Sequence, residues 1–302
     1  MTGKTILVTG ASGFTGRHFV AAAKQAGYRC VALSQHVNER VPQADLCLAA
    51  NLLDRKALNS AVAEAAPDNI VHLAAVSFVA HDDTAEIYQT NLIGTLNLLN
   101  AANNYAPEVK KILIASSANI YGNTTRLPIT EASPPQPVNH YGVSKFAMER
   151  AVALFDTLPV VMVRPFNYTG VGQHISFLVP KIVNAFKNKE PKIELGNLDV
   201  ARDFSDVRDV VSAYLKLLAS PETQPIYNIC TGHPTSLQEI IATLNTLAGY
   251  DIEITTNPDF VRTDEIKTLY GSPKLLESTV GSYRNYALQD TLAWMLHGVV
   301  AY

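Results

Sequence analysis

Short, mostly apolar runs alternate with longer stretches of helical periodicity through the first half of the chain. Such runs predict strands that are buried on both faces, and they occupy residues 5–8, 30–33, 69–73, 111–115 and 160–163. Helical spacing marks residues 18–26, residues 85–104 and the stretch that begins near His140. This alternation predicts an α/β fold built on a Rossmann-type doubly wound parallel sheet.

The regular alternation ends after Arg164, where prolines and longer connections become frequent. Beyond it, a helix is predicted at residues 210–219 and a strand at residues 226–229. We therefore expect a Rossmann domain of residues 1–165, to which about residues 208–230 return. The remainder, residues 166–207 and 231–302, is expected to form a smaller interleaved C-terminal lobe.

Composition excludes several classes of protein. Hydrophobic residues make up 47% of the chain, charged residues 17%, and the formal net charge is −3. A chain with this charge is not expected to bind nucleic acid. Its most apolar stretch is interrupted by Asp156 and Pro159, so we expect no membrane span.

The beginning of the chain and its cysteines bear on where it works. The first residues lead directly into the first strand and show no signal-peptide pattern. Three widely spaced cysteines, Cys30, Cys47 and Cys230, are typical of a reduced, cytoplasmic protein. The eight histidines show no ligand spacing, so no metal site is expected.

A glycine-rich turn follows the first predicted strand. Gly10, Gly13 and Gly16 stand three apart in TGASGFTG, just before the first helix. Glycines there permit a tight turn and a close approach of the backbone to a pyrophosphate, which the helix N-terminus then attracts. The spacing differs from G-x-G-x-x-G, and the alternative is an ordinary turn. The position in a β-α-β unit favours a dinucleotide loop.

Two residues bear on which dinucleotide is bound. Ser34 ends the second strand, where an NAD-binding fold usually carries an acid. Arg17, just after the third glycine, is placed to face the 2′-phosphate of NADP, although it could simply be exposed to solvent. We expect NADP(H) to be preferred, with NAD(H) as the alternative.

A second group of residues has the chemistry of proton transfer. Tyr141 and Lys145 stand four apart and share one helix face, so the ammonium is expected to lower the pKa of the phenol. Ser117 follows the strand at residues 111–115, at the sheet edge where ligands bind. Its hydroxyl can donate to a substrate carbonyl. Taken alone, each feature is also compatible with a structural role.

Together these motifs resemble the extended short-chain dehydrogenase/reductase family over essentially the whole chain. The matching pieces are TGASGFTG, HLAA at residues 72–75, Asn91, SSANIYG, YGVSK and RPFNYTG at residues 164–170. The resemblance implies that Tyr141 is the proton donor or acceptor, Lys145 its activator and Ser117 the group that polarises the carbonyl. It also implies a set of cofactor contacts at Gly10, Gly13, Phe14, Thr15, Gly16, Arg17, Ser34, Asn51, Leu52, Ala74, Ala75, Asn91, Tyr141 and Lys145.

The second lobe is similar to that of members that act on nucleotide sugars. By this resemblance, substrate contacts are expected at Asn119, Asn167, Lys181, Arg202, Arg262 and Glu265. The arginines would clamp the diphosphate and the acid would accept from a ribose hydroxyl. The alternative is that these are surface ion pairs.

The segment GNLDVARDFSDVRDVVSAYLKLL is similar to the GDP-mannose 4,6-dehydratases and to the related GDP-4-keto-6-deoxymannose reductases. Dehydratases of this type carry Glu where Asn119 stands, and a carboxamide cannot serve as the acid or base. Reductases that also epimerise use a cysteine near the serine, and none lies between Cys47 and Cys230.

The resemblance therefore implies reduction of the C4 ketone of a GDP-linked 4-keto-6-deoxy sugar. The product would be GDP-D-rhamnose or its C4 epimer, GDP-6-deoxy-D-talose. A 4-epimerase with tightly bound NAD is the alternative, and a non-catalytic cofactor sensor ranks below it because both Tyr141 and Lys145 are present. Helices 85–104 and 140–155 resemble those that pair two subunits, so a homodimer is expected.

Overall fold

The computed structural model describes residues 3–36, 39–77, 83–260 and 267–298. Its strands are Thr5–Thr9 (β1), Arg29–Ser34 (β2), Leu46–Ala49 (β3), Asn69–His72 (β4), Lys111–Ala115 (β5), Val160–Pro165 (β6), Asn167–Thr169 (β7), Lys192–Leu195 (β8), Ala201–Arg202 (β9), Phe204–Asp206 (β10), Ile226–Ile229 (β11), Thr235–Ser236 (β12), Glu253–Thr256 (β13) and Thr268–Leu269 (β14).

The α-helices connect these strands and cover both faces of the main sheet. They are Phe14–Gln25 (α1), Arg55–Ala65 (α2), Thr84–Tyr88 (α3), Thr95–Tyr105 (α4), His140–Val152 (α5), Leu178–Lys187 (α6), Val207–Ala219 (α7), Leu237–Ala248 (α8), Lys274–Val280 (α9) and Leu288–His297 (α10). Three short turns complete the set, a π-helical turn at Gln89–Gly94 and 3₁₀ turns at Ala118–Tyr121 and Pro258–Phe260.

The main sheet has seven parallel strands in the order β11-β6-β5-β4-β1-β2-β3. This arrangement confirms the predicted Rossmann-type fold. Because all the strands are parallel, their carboxyl ends lie at one edge of the sheet. Chain segments that follow β1, β4 and β5 are therefore neighbours there, although they are far apart in sequence.

Alternate residues of each strand enter two separate cores, which explains the continuous apolar runs. Ile6 and Val8 pack with Phe19 of α1 in one core, and Leu7 packs with Leu58 of α2 in the other. A strand covered by helices on both faces has no polar side, so the sequence shows no alternation.

Several elements differ from the prediction. β3 and α2 were not predicted, and residues 85–104 were predicted to form one uninterrupted helix. The structure instead inserts the π-helical turn at Gln89–Gly94 between α3 and α4. By contrast, the predicted strand at residues 226–229 is present as β11, in the main sheet beside β6. Outside the main sheet, β8 pairs with β13, and β9 pairs with β12 and β14. The division into two lobes stays a prediction.

Within the described ranges, we find no helix long and apolar enough to cross a membrane.

A buried ion pair ties α5 to β6 beneath the sheet edge. Arg164 donates from Nε and Nη2 to the two carboxylate oxygens of Glu149, at 2.9 and 2.6 Å. The side chains are 5% and 3% exposed. Arg164 also donates from Nη1 to the hydroxyl of Tyr121 at 2.8 Å. All three nitrogen atoms of the guanidinium therefore donate hydrogen bonds, and the group is shielded from water.

We expect Glu149→Gln to lower the free energy of unfolding by ~3 kcal/mol, because it leaves a buried guanidinium without its carboxylate. Urea denaturation measures the effect. Glu108→Gln is the control, since its pair with Lys110 is exposed and is expected to change stability by less than ~1 kcal/mol. Equal effects of the two substitutions would contradict the prediction.

Candidate active site

A cleft of about 1750 Å³ opens at the carboxyl edge of the main sheet and extends to α6, β9 and the 3₁₀ turn at Pro258–Phe260. Its volume exceeds the roughly 300–1,000 Å³ of an ordinary small-molecule pocket, so two nucleotide-sized ligands can fit. Most of the predicted site residues line it, namely Gly10, Gly13, Phe14, Thr15, Gly16, Ser34, Asn51, Leu52, Ala74, Ala75, Ser117, Asn119, Tyr141, Lys145, Asn167, Lys181 and Arg202.

The tight packing of the glycine loop depends on glycine at two of its positions. Gly10 has a φ of +64°, and a Cβ there would lie 2.6 Å from the backbone nitrogen of Ala74. A Cβ on Gly16 would overlap the carbonyl oxygen of Gly10, so this glycine lets α1 pack directly on the turn. These are the positions at which a dinucleotide loop needs glycine.

The first turn of α1 suits a pyrophosphate. Gly13 is the N-cap, it offers no side-chain cap, and the first turn contains no acidic residue. The free N–H groups and the positive end of the helix dipole therefore point to the cleft without a competing carboxylate. The loop fits the diphosphate of a dinucleotide.

The end of β2 forms the far end of the cleft. Ser34 donates from Oγ to the carbonyl oxygen of His36 at 3.1 Å, and Asn51 lies beside it in the cleft wall. The sequence analysis missed Glu39, which also lines this end. Glu39 lies in the irregular segment between β2 and β3, so no local sequence pattern identified it as a site residue.

Arg17 is placed differently from the prediction. We expected its guanidinium to face a 2′-phosphate, but its Nε donates to the carbonyl oxygen of Ser12 at 2.7 Å. Arg17 is not among the described residues that line the cleft. The side chain is thus tied to the backbone of the glycine loop, because the first turn of α1 directs it back along the helix.

The N-terminus of α5 brings Tyr141, Ser117 and Lys145 together. Asn139 caps the helix by accepting from the backbone N–H of Gly142 at 2.8 Å, which places Tyr141 in the first turn. The Ser117 hydroxyl lies near the phenol of Tyr141 and lowers its pKa. One turn on, Lys145 donates from Nζ to the carbonyl oxygen of Ala115 at 2.8 Å.

Burial determines the protonation states of Tyr141 and Lys145. It raises the pKa of Tyr141 to about 12, and the hydrogen bond with Ser117 acts in the opposite direction. Burial lowers the pKa of Lys145 to about 8, with the Glu149 carboxylate opposing that change. Lys145 was expected to lower the pKa of Tyr141, but desolvation of the phenol is the largest influence and raises it instead.

Asn91 was predicted to contact the cofactor, and the structure places it elsewhere. Its side chain is fully buried in the π-helical turn. Its Oδ1 accepts from the backbone N–H of Val76 at 2.9 Å, and its Nδ2 donates to the hydroxyl of Ser144 at 3.0 Å. Asn91 therefore ties the loop after β4 to α5 without reaching the cleft.

A buried histidine continues this connection to β1. His72 is hydrogen-bonded through Nδ1 to Thr9 Oγ1 at 2.7 Å and through Nε2 to Thr95 Oγ1 at 2.9 Å. Thr95 donates its only hydroxyl proton to the carbonyl oxygen of Asn91, so Nε2 must carry the imidazole proton. Burial lowers the pKa of His72 to about 3. The ring is therefore neutral at any ordinary pH.

Tyr168 is a cleft residue that the sequence analysis missed, although it lies in the RPFNYTG motif. Its hydroxyl is hydrogen-bonded to Thr15 Oγ1 at 2.8 Å, and its ring stacks on Phe14 with centroids 6.0 Å apart. It thus connects β7 to the glycine loop. Its place in the sequence could have indicated this role, because it is an aromatic residue next to the predicted Asn167 and follows shortly after the end of β6.

The predicted substrate residues are only partly brought together. Asn167 is exposed at the cleft, and Arg202 lines it while donating to the carbonyl oxygens of Ala201 and Lys267. Lys181 also lines the cleft, but its Nζ donates to the carbonyl oxygen of Glu194. Two further predicted residues lie outside the described part of the chain, Arg262 and Glu265.

Comparison with known proteins identifies the family. The model of the NAD dependent epimerase/dehydratase family matches residues 6–230. The chain belongs to this family. The resemblance to extended short-chain dehydrogenases is thereby confirmed, and the chain is an NAD(P)-dependent oxidoreductase of the epimerase/dehydratase family.

Individual members of the epimerase/dehydratase family are similar over nearly the full chain. A GDP-6-deoxy-D-talose 4-dehydrogenase of Aggregatibacter actinomycetemcomitans is 36% identical over 96% of this chain and 96% of its own length. A GDP-6-deoxy-D-mannose reductase of Pseudomonas aeruginosa is 34% identical over 96% and 95%. The structure of RMD from Pseudomonas aeruginosa complexed with NADPH is 33% identical over 97% of each chain, with a TM-score of 0.85.

The crowding at Gly10 gives a test of the loop. We expect Gly10→Ala to raise the Kd for NADPH tenfold or more, since a displacement that costs about 1.4 kcal/mol is sufficient. Fluorescence quenching on cofactor titration measures it. The matched control is Gly249→Ala, which has a similar positive φ of +76° but no atom within 4 Å of its Cβ position. Unchanged binding by Gly10→Ala would refute the assignment of the loop.

Proposed function

We propose that this protein reduces the C4 ketone of a GDP-linked 4-keto-6-deoxyhexose with NADPH, giving GDP-D-rhamnose or its C4 epimer GDP-6-deoxy-D-talose. The observation that carries the proposal is the content of the cleft: Ser117, Tyr141 and Lys145 converge there, and Asn119 stands where a dehydratase needs an acid. The names of the two relatives described above, one a reductase and one a 4-dehydrogenase of GDP-linked 6-deoxyhexoses, support the same substrate class.

The roles of the three residues follow from their protonation. With its pKa raised, Tyr141 keeps its proton near neutral pH and can give it to the C4 oxygen as that oxygen gains charge. Ser117 donates a hydrogen bond to the same oxygen and stabilises the charge that develops there. Lys145 is largely charged below its pKa of about 8, and its field favours the phenolate that Tyr141 leaves behind.

The cofactor site is proposed from the walls of the cleft. The glycine loop and the first turn of α1 would hold the diphosphate, Ser34, Asn51 and Leu52 the adenosine end, and Ala74 and Ala75 the nicotinamide end. When bound, the nicotinamide supplies the hydride that reduces C4. The uncharged Ser34 supports NADPH as the preferred form, and NADH remains the alternative.

The substrate would occupy the part of the cleft under the second lobe. Arg202 and Asn167 are the proposed contacts of the diphosphate, and Lys181 lies further along the same wall. We also propose Arg262 and Glu265 as substrate contacts, on the sequence pattern alone. A nucleotide diphosphate is well matched to arginine, whose planar fork donates to two oxygens at once.

Assembly and compartment complete the proposal. Ile93 in the π-helical turn and Val143 in α5 are 44% and 38% exposed, as expected if these helices pair two subunits. We propose a homodimer formed there. Cys30, Cys47 and Cys230 are all free thiols, which supports work in a reducing, cytoplasmic compartment.

The first test is consumption of NADPH with freshly prepared GDP-4-keto-6-deoxymannose, followed by absorbance. Tyr141→Phe is expected to lower kcat by roughly 10²–10⁴-fold, because it removes the proton donor. Tyr105→Phe is the control, since this tyrosine is exposed at the end of α4. Product NMR then assigns the configuration at C4.

Other outcomes of that assay are informative. NAD that remains bound through purification, without net NADPH consumption, would replace the reductase by the 4-epimerase. Full activity of Tyr141→Phe would show that another group supplies the proton.

The cofactor preference has its own test at the end of β2. Ser34→Asp is expected to shift kcat/KM towards NADH by tenfold or more, since a hydrogen bond from a ribose hydroxyl to a charged group contributes about 1.5–3 kcal/mol and the carboxylate repels a 2′-phosphate. Ser60→Asp adds the same charge on the exposed side of α2 and serves as the control. An unchanged ratio would place the adenosine ribose elsewhere.

A further inference from the structure

The side chain of Asn119 is directed at Ser117. The hydroxyl oxygen of Ser117 accepts from the backbone N–H of Asn119 at 3.1 Å and from its side-chain Nδ2 at 3.2 Å. Ser117 is the N-cap of the 3₁₀ turn Ala118–Tyr121, which fixes the first of these bonds. The second bond exists only because residue 119 carries an amide nitrogen.

A serine hydroxyl has two acceptor positions and a single proton. Asn119 occupies both acceptor positions of Ser117. Towards any other partner, Ser117 can therefore act only as a hydrogen-bond donor. The neighbouring polar atom on the cleft side is the oxygen of Tyr141, and Ser117 lowers the pKa of that phenol, as a hydrogen bond donated to the phenol oxygen would. Ser117 and Tyr141 are 5% and 8% exposed, and both line the cleft, so little water competes for this proton.

We propose that Asn119 is a positioning residue that makes Ser117 an obligate hydrogen-bond donor towards the cleft. The inference rests on the proposed ketone reduction, in which the C4 oxygen receives both a hydrogen bond and a proton. With its acceptor positions filled, Ser117 cannot accept from Tyr141. The Tyr141 proton is therefore kept for the substrate oxygen, and the Ser117 proton is directed at the same atom.

This role differs from the substrate contact predicted for Asn119. A carboxylate at this position can only accept hydrogen bonds, so it would draw the Ser117 proton away from the cleft. The carboxamide does the opposite. One atom of difference in residue 119 thus changes the direction of the hydrogen bond at Ser117 as well as removing an acid from the cleft.

Two substitutions separate these effects. Asn119→Ala leaves one acceptor position of Ser117 open, and we expect a modest fall in kcat, about tenfold. Asn119→Asp reverses the hydrogen bond, and the fall at pH 8 should approach the roughly 10²–10³-fold that follows loss of one donor to a developing oxyanion. KM for the sugar nucleotide is expected to change little in either variant, because Asn119 acts through Ser117.

The pH profile supplies a readout that a merely structural role would not give. As the pH falls through the pKa of the introduced carboxyl, the protonated group can donate to Ser117 again, and activity relative to the wild type should recover. Among the described residues, the titratable groups that line the same part of the cleft as Ser117 include Tyr141, Lys145 and Tyr168, on α5 and β7. They are common to all variants, so the ratio to wild type removes their contribution.

Asn119→Ala should keep a constant ratio to wild type at every pH. The charge-matched control is Asn123→Asp, which adds a carboxylate at an exposed position four residues further on. It is expected to follow the wild-type profile. An Asn119→Asp variant that is as active as Asn119→Ala at every pH would overturn the proposal.

A neutron structure of the perdeuterated protein tests the hydrogen-bond direction independently of any substrate. We expect two deuterons on the Asn119 atom that faces Ser117, and the Ser117 deuteron pointing at Tyr141. A Ser117 deuteron that points at Asn119 would overturn the inference even in an active reductase. If instead no ketosugar is reduced but the deuterons lie as expected, the proposed function fails and the hydrogen-bond assignment stands.

Discussion

A continuous path of buried hydrogen bonds joins the strand of the glycine loop to the helix that carries Tyr141. It runs through Thr9, His72, Thr95, Asn91 and Ser144 to the carbonyl oxygen of Tyr141. A buried polar group left without a partner costs about 1–3 kcal/mol, so each member is held in one orientation. The path fixes β1, β4 and α5 relative to one another, and with them the two sides of the cleft that must meet at one reacting carbon.

The same dry environment determines the charges in the cleft. Desolvation opposes the charged form of each group, so it raises the pKa of Tyr141 and lowers that of Lys145. Tyr141 is thereby kept as a proton donor near neutral pH, while Lys145 titrates close to neutral pH. Hydrogen bonds with fixed direction then decide where protons can go, and Ser117 and Asn119 show this most clearly.

Two contacts connect parts of the cleft that are far apart in sequence. Tyr168 of β7, which pairs with β10 outside the main sheet, is hydrogen-bonded to Thr15 of the glycine loop. Below it, the buried pair of Arg164 and Glu149 joins β6 to α5, one turn beyond Lys145. The proposed substrate side of the cleft is thus built on the same support as the proposed cofactor side, which suits a reaction between two bound ligands.

The sequence alone determined the parts of this protein that depend on local geometry. A glycine-rich turn between a strand and a helix has a conformation set by the residues next to it in the chain. A Tyr and a Lys four residues apart lie on one face of any helix. Both features can therefore be predicted without knowledge of distant contacts. The tertiary structure alone decided that Asn91 is a buried brace and that Tyr168 enters the cleft. Both take their places from partners that only the folded chain brings near, since Ser144 is 53 residues from Asn91 and Thr15 is 153 residues from Tyr168. Sequence periodicity does not record such contacts.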